Sequence, residues 1–384
     1  MDGRVQQQVY KINSLNINMR NTSVIIIISI LLLIIIATII LISLPQEEEL
    51  PSPQLEECQT LSYNSESAIN LVFFAPKEQA QKYYDSLLQF SPMKENAQEF
   101  NAFYISDYIP ECELYKGIAL LCYSNDLVKK AASCPADYII TIRQEEPSIR
   151  SSSYLNVMSI NSAYTTSVLA HEFGHAFANL AEEYVPASLP RGQKNCVKTC
   201  DSFQSETNGC FDGCSQSNYK RSISSGIMRT LSSNTFGIFD ESLISERISS
   251  HQSKVTASAI SDPRDCSQEK YYSITFQLTN GIFSLTNKSI ESGCQPTSGF
   301  GPSSYQIIKN SQVLSTNDIN PLIIFTDLPD ETSLDLSGET LDYEGPVVLT
   351  TPAIPIDEIK IFDSDSKELI SVNLNDIDSR PCKK

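Results

Sequence analysis

Apolar residues follow two rhythms along this chain. In the first, near-continuous apolar runs alternate with helical patterns. Ala68 to Ala75 reads as a strand buried on both sides, and Pro76 then opens a helical pattern running through Phe90. Phe100 to Tyr108 predicts a strand, Asp126 to Ser133 a helix and Asp137 to Arg143 another strand. Tyr154 to Ile160 predicts a further strand before a helix that spans the region around residue 173. This alternation of strands and helices predicts an α/β (α+β) unit, a mixed sheet with helices packed against it.

From about residue 268 the rhythm changes to period two. Tyr272, Ile274, Phe276 and Leu278 alternate with polar residues, Asn280-Gly281 supplies a hairpin turn, and Ile282 to Thr286 returns. Ile359 to Phe362 and Leu369 to Leu374 predict a second hairpin across Asp363 to Lys367. Short alternating strands punctuated by Pro and Gly predict a small all-β, sandwich-like domain over 261–384.

The helix near residue 173 contains His171-Glu172-Phe173-Gly174-His175, an H-E-x-x-H motif. At 100° per residue, His175 falls about 40° from His171, while Leu169, Phe173, Ala176, Phe177 and Leu180 fall between about 140° and 240°. One face can therefore pack on a core while the other presents two imidazoles. Histidines four apart on one helical face can hold zinc, and the intervening glutamate can act as a general base on water. The chain has 3 histidines in 384 residues, and two of them stand at this spacing. Ser162, Thr165, Thr166 and Ser167 offer N-caps.

A catalytic zinc takes three protein ligands and leaves a fourth position for water. Position 181 is Ala, so the third ligand must be a carboxylate in the following Glu182-Glu183 pair. On an unbroken helix Glu182 would lie about 16 Å along the axis from His171, out of reach. The chain must turn, and Asn179, which tolerates the left-handed conformation, is the expected pivot. Glu182 is the favoured ligand, with Glu183 the alternative.

These residues support a resemblance. His171 to Tyr184, H-E-F-G-H-A-F-A-N-L-A-E-E-Y, resembles the signature of the IgA-peptidase family of metzincin-like zinc metallopeptidases. Val157 to Asn161, Val168 to Ala170, Tyr219 to Ser222 and Ile227-Met228-Arg229 look like its flanking segments. Ala178-Asn179 stands where that family has Gly-Gly, and Glu182 where it has Asp. The resemblance implies a metzincin-like fold over residues 63–260, Met228 beneath the metal, and the Tyr154–Ile160 strand at the sheet edge above the cleft, where it would pair with substrate backbone.

Val24 to Leu44 is a run of uncharged, almost wholly apolar residues about 31 Å long as a helix, enough to cross a bilayer. Arg4, Lys11 and Arg20 precede it and Glu47, Glu48, Glu49, Glu56 and Glu57 follow it. The positive-inside rule then places residues 1–23 in the cytoplasm and the rest outside, with 24–44 as a signal anchor and 45–62 as a stalk. A single-pass protein of the cell membrane with its catalytic part outside is the expected localisation. The 11 cysteines fit that placement. Cys196, Cys200, Cys210 and Cys214 admit two disulfides or a four-cysteine zinc site, and outside the cytoplasm disulfides are favoured. A net charge of −18 without a basic stretch argues against nucleic acid as a partner.

The reading that results is a membrane-anchored zinc endopeptidase acting on peptide or protein substrates. His171, His175 and Glu182 would be its zinc ligands and Glu172 its catalytic base. The contrasting expectation is a surface adhesin or binding module whose zinc is purely structural; it requires a closed four-ligand site.

Overall fold

The run Ile69–Phe74 explains the centre of the structure. Leu71 and Phe73 point to one face of a sheet and Val72 and Phe74 to the other, and all four are buried. A strand covered on both faces needs apolar residues at every position, which is why the sequence shows no alternation there. The computed structural model describes residues 56–203, 209–254, 265–330 and 332–374. The apolar span 24–44, the N-terminal segment, most of the expected stalk and Cys382 lie outside the described residues. Among those described, no helix is long and apolar enough to cross a membrane.

The fold is mixed α/β with one large mixed sheet and several smaller ones. In chain order the strands begin with β1 (Gln59–Ser62), β2 (Ile69–Phe74), β3 (Phe100–Ile105), β4 (Glu113–Tyr115), β5 (Ala119–Leu121), β6 (Tyr138–Arg143), β7 (Ser151–Tyr154) and β8 (Val157–Asn161). They continue with β9 (Phe211–Cys214), β10 (Gln216–Arg221), β11 (Lys270–Thr279), β12 (Ile282–Ser292), β13 (Ser303–Lys309) and β14 (Gln312–Ile319). The last are β15 (Ile323–Pro329), β16 (Leu336–Asp342), β17 (Gly345–Pro352), β18 (Glu358–Phe362) and β19 (Glu368–Asn373). The helices are α1 (Lys77–Leu87), α2 (Asn125–Ala131), α3 (Val168–Ala178) and α4 (Ile238–Lys254).

The large sheet has the order β1-β3-β2-β6-β8-β7-β15-β16. β3, β2, β6 and β8 run parallel, and the remaining pairings are antiparallel. One face is covered by α1, α3 and α4 through Tyr83, Leu87, Phe173, Phe177, Ile244 and Ile248. The other is covered by α2 and by residues of the later strands, including Ile274, Phe276, Val347 and Leu349. β11, β12 and β17 form a three-stranded antiparallel sheet, and β13, β14, β18 and β19 a four-stranded one. The hairpin expected at Asn280-Gly281 is present, with positive φ of 50° and 73° at the two residues.

Three sequence expectations change. The strand expected over Tyr154–Ile160 is a tight antiparallel pair, β7 and β8, turning at Leu155 with φ 51°. β8 is interior, between β6 and β7, and β15 covers the outer side of β7, so neither lies at the sheet edge. A non-Gly residue in the left-handed region gives no sequence signal for such a turn. The expected stalk gives way to folded chain before residue 62: Cys58 is disulfide-bonded to Cys134, and β1 pairs with β3. The β15–β16 hairpin, from the region expected to form a separate β-rich unit, extends the large sheet.

Candidate metal centre

α3 carries the histidines, and its local sequence explains their placement. Phe173 and Phe177 stack with centroids 4.7 Å apart, and Tyr138 meets both edge-on from the sheet. Their burial fixes the rotation of the helix and turns His171 and His175 the other way. Gly174 lets the segment after α3 approach from below, since a Cβ there would lie 2.8 Å from the Met228 sulfur. The expected hydroxyl cap is not made: Ser167 is at the N-cap, but its Oγ donates to the Leu231 carbonyl at 2.9 Å.

Asn179 ends the helix in the left-handed conformation, φ 51° and ψ 39°. Its N–H donates to the His175 carbonyl, and the Leu180 N–H to that of Gly174. The reversed chain sets the Leu180 carbonyl 2.7 Å from His175 Nδ1 and swings Glu182 back to the imidazoles. A cradle holds this turn. Asn195 exchanges two side-chain hydrogen bonds with the Ala181 backbone, at 2.8 and 2.9 Å, and Ser215 Oγ donates to the Glu182 carbonyl at 2.8 Å. The Cys196–Cys214 disulfide ties the two sides of the cradle together, and Cys200–Cys210 closes a second bridge inside it.

His171 Nε2 and His175 Nε2 lie 3.0 Å apart. Glu182 Oε1 is 2.9 Å from His175 Nε2, and its Oε2 is 3.6 Å from His171 Nε2. A second carboxylate, Asp327 of β15, stands equally close, with Oδ2 2.9 Å from His171 Nε2 and 3.5 Å from His175 Nε2. One atom from each of these four residues falls within 4.8 Å of all the others, and every one of the four side chains is buried.

The donor set fits a metal ion. Both Nδ1 atoms face backbone carbonyls, Ile227 at 3.0 Å and Leu180 at 2.7 Å, which can only accept. Each neutral imidazole therefore carries its proton on Nδ1 and presents a bare Nε2 lone pair. Two lone pairs and two carboxylates would then face one another without a donor between them. Glu172, Glu182 and Asp327 leave five buried carboxylate oxygens without a hydrogen-bond partner, both of Glu172, both of Glu182 and Oδ2 of Asp327. Such crowding of buried acceptors is costly unless a cation sits among them. A tetrahedral centre with bonds of 2.0–2.1 Å spaces its ligands by about 3.4 Å, inside the range of separations found here.

Burial, and then the Asp327 charge, push the Glu172 carboxyl well above the usual carboxylate range, with His175 opposing. Burial and Asp327 act on Glu182 in the same direction. At Asp327 burial works upward, but where the two histidines carry Nε2 protons in place of a metal, their charge and hydrogen bonds outweigh it and hold the carboxyl well below the usual range. Tyr184 donates to Asp327 Oδ1 at 2.6 Å, and Phe325, two residues before Asp327, stacks on the His175 ring with centroids 4.2 Å apart.

The structure thus brings His171, His175 and Glu182 together. Glu183 is buried but outside this group, under the influence of Asp240, Arg221 and Arg229. Met228 lies against Gly174. Tyr184 bonds to Asp327, whereas Tyr219 packs beside Cys196 and Cys214. His251 sits apart, 3.8 Å from Asp137. The four cysteines at 196, 200, 210 and 214 form disulfides, and five disulfides are present among the described residues. Sequence reasoning did not find Asp327. Its one trace is a carboxylate in the otherwise uncharged run Ile323-Ile-Phe-Thr-Asp-Leu328. In comparisons with known proteins, no family model and no curated protein matches this chain.

Proposed function

We propose that this chain is a zinc-dependent endopeptidase of metzincin-like design, with His171, His175 and Glu182 as ligands and Glu172 as general base. The observation that carries this reading is the Glu172 carboxylate. It is fully buried beside the cluster, has no hydrogen-bond partner, and is close enough to feel the charges of Asp327 and Glu182. A purely structural centre has no use for a further orphaned carboxylate, whereas hydrolysis needs one. Zinc, when bound, would supply the Lewis acidity that polarises a peptide carbonyl and makes water a better nucleophile. Glu172 takes the proton from the attacking water and returns it to the leaving amine. The Nδ1 hydrogen bonds to Ile227 and Leu180 keep both imidazoles in the tautomer that binds metal.

In this reading the apolar span 24–44 anchors the protein and the catalytic part faces an oxidising exterior, consistent with the five disulfides among the described residues. The two C-terminal sheets act as a sandwich-like support for the catalytic unit. Asn287 of the sequence Asn287-Lys288-Ser289, a glycosylation sequon, is exposed on β12.

The test compares the full chain with Glu172→Gln for zinc, by elemental analysis, and for cleavage of a mixed peptide library, by mass spectrometry. One zinc in each protein and cleavage by the parent alone is the expected result. A folded parent without zinc would overturn the reading. A second reading has one observation in its favour. Four protein ligands, Asp327 included, make a closed centre of the kind found in structural zinc sites. It predicts zinc in both proteins and no cleavage by either.

A further inference from the structure

The proposed peptidase centre is sealed. His171, Glu172, Glu182 and Asp327 are at most 1% exposed and His175 2%, so no peptide reaches Glu172 unless something moves. The β15–β16 hairpin covers the site, and its contacts are those an extended peptide would make. β15 pairs antiparallel with the outer side of β7, matching Phe325 to Ser153, Thr326 to Ser152 and Asp327 to Ser151. At its far end the hairpin pairs with the segment just after Met228. The Leu231 N–H donates to the Leu334 carbonyl at 2.9 Å, the Leu336 N–H to the Arg229 carbonyl at 3.0 Å, and Thr230 Oγ1 to the Leu334 carbonyl at 3.0 Å. Between these two walls Asp327 meets both imidazoles and Phe325 lies flat on His175.

We infer that the β15–β16 hairpin is a built-in occupant of the substrate cleft. It holds the strand edge of β7 and sets Asp327 in the place that water and the scissile carbonyl need, so the centre is autoinhibited until the hairpin withdraws. This inference rests on the peptidase reading above. The hairpin is suited to withdraw. β15 holds β7 through three residue pairs, each with a serine on the β7 side. β16 is a sheet edge, with Ser337, Glu339 and Asp342 exposed. A strand at an edge with few pairings opens locally at lower cost than the sheet interior. Gly338 lets β16 lie close against β15 and Tyr184, because a Cβ there would lie 2.0 Å from the Thr326 carbonyl oxygen and 2.7 Å from the Tyr184 hydroxyl.

The test uses the full chain loaded with cobalt in place of zinc, with a dipeptide hydroxamate as probe. Binding is followed by the visible spectrum of the cobalt, and hairpin position by amide hydrogen exchange. Asp327→Ala, which removes the competing carboxylate, is expected to bind the hydroxamate at least tenfold more tightly than the parent. Tyr184→Phe, which removes the hydrogen bond that holds Asp327 in the site and keeps all four clustered side chains, is expected to shift affinity the same way. Should either variant fail to fold, the parent still decides: saturating hydroxamate is expected to speed exchange of the β15 amides. Cobalt uptake with equal affinities, or hydroxamate binding that leaves β15 exchange unchanged, would overturn the hairpin's role and leave the metal centre standing. Failure of the folded parent to take up cobalt would overturn both.

Discussion

The segment 168–182 and the hairpin 323–342 bring carboxylates to the same pair of imidazoles by different physical routes. In the first, the helix spaces the histidines, a left-handed residue reverses the chain, and Glu182 returns within one turn, its backbone gripped by Asn195 and Ser215. In the second, Asp327 arrives 143 positions after Tyr184, carried by antiparallel pairing to β7 and fixed by the Tyr184 hydroxyl. A ligand delivered locally is held by its own backbone, so it cannot leave without unfolding the turn. A ligand delivered by an edge hairpin is held by strand pairing and can leave as a unit. The two carboxylates are nearly equivalent in distance to the imidazoles, yet they differ in how separable they are from them.

The harshest way to break the comparison is to remove what both carboxylates share. His175→Ala takes away one of two imidazoles and the donor of the Leu180 contact, and metal affinity is expected to fall by more than the roughly 10–100-fold typical of losing an outer-shell partner; isothermal titration with zinc measures it. Tyr184→Phe addresses the hairpin alone. It deletes a charge-assisted hydrogen bond to Asp327, an effect of about 1.5–3 kcal/mol, and should appear as faster amide exchange in β15 with little change in α3. Asn179→Ala addresses the local route: a left-handed residue that is neither Gly nor Asn costs about 1–2 kcal/mol, read from urea denaturation. Asn179→Gly keeps the conformation accessible and should lie closer to the parent. Equal exchange changes in β15 and α3 for Tyr184→Phe would show that the two regions are not separable.

The same distinction explains what could be read from the sequence. The histidine pair, the need for a turn, Asn179 as its pivot and a returning carboxylate at Glu182 or Glu183 follow from helical geometry over a dozen residues, and the structure brings Glu182 to the histidines. β2 was legible because its apolar run is unbroken. Asp327 was not, because nothing local distinguishes a carboxylate aimed at a metal from one at a surface; its role depends on which strand β15 pairs with. α4 gave a weak signal for another reason. Five serines dilute its pattern, and in its middle only Ile244 and Ile248 are buried apolar positions. The turn between β7 and β8 was invisible because Leu155 takes a positive φ without glycine.

The cradle around Glu182 has a consequence for where this centre can exist. Ser215 follows Cys214, Asn195 precedes Cys196, and the bond between those sulfurs keeps the two grips on the ligand's backbone in register. Reducing that bond frees both grips at once and lets the turn after Asn179 relax. The two histidines would remain in place on their helix, with the carboxylate opposite them no longer anchored. The candidate metal centre is therefore expected to depend on redox surroundings: with the disulfide reduced, zinc affinity should fall while the two histidines keep their places on the helix.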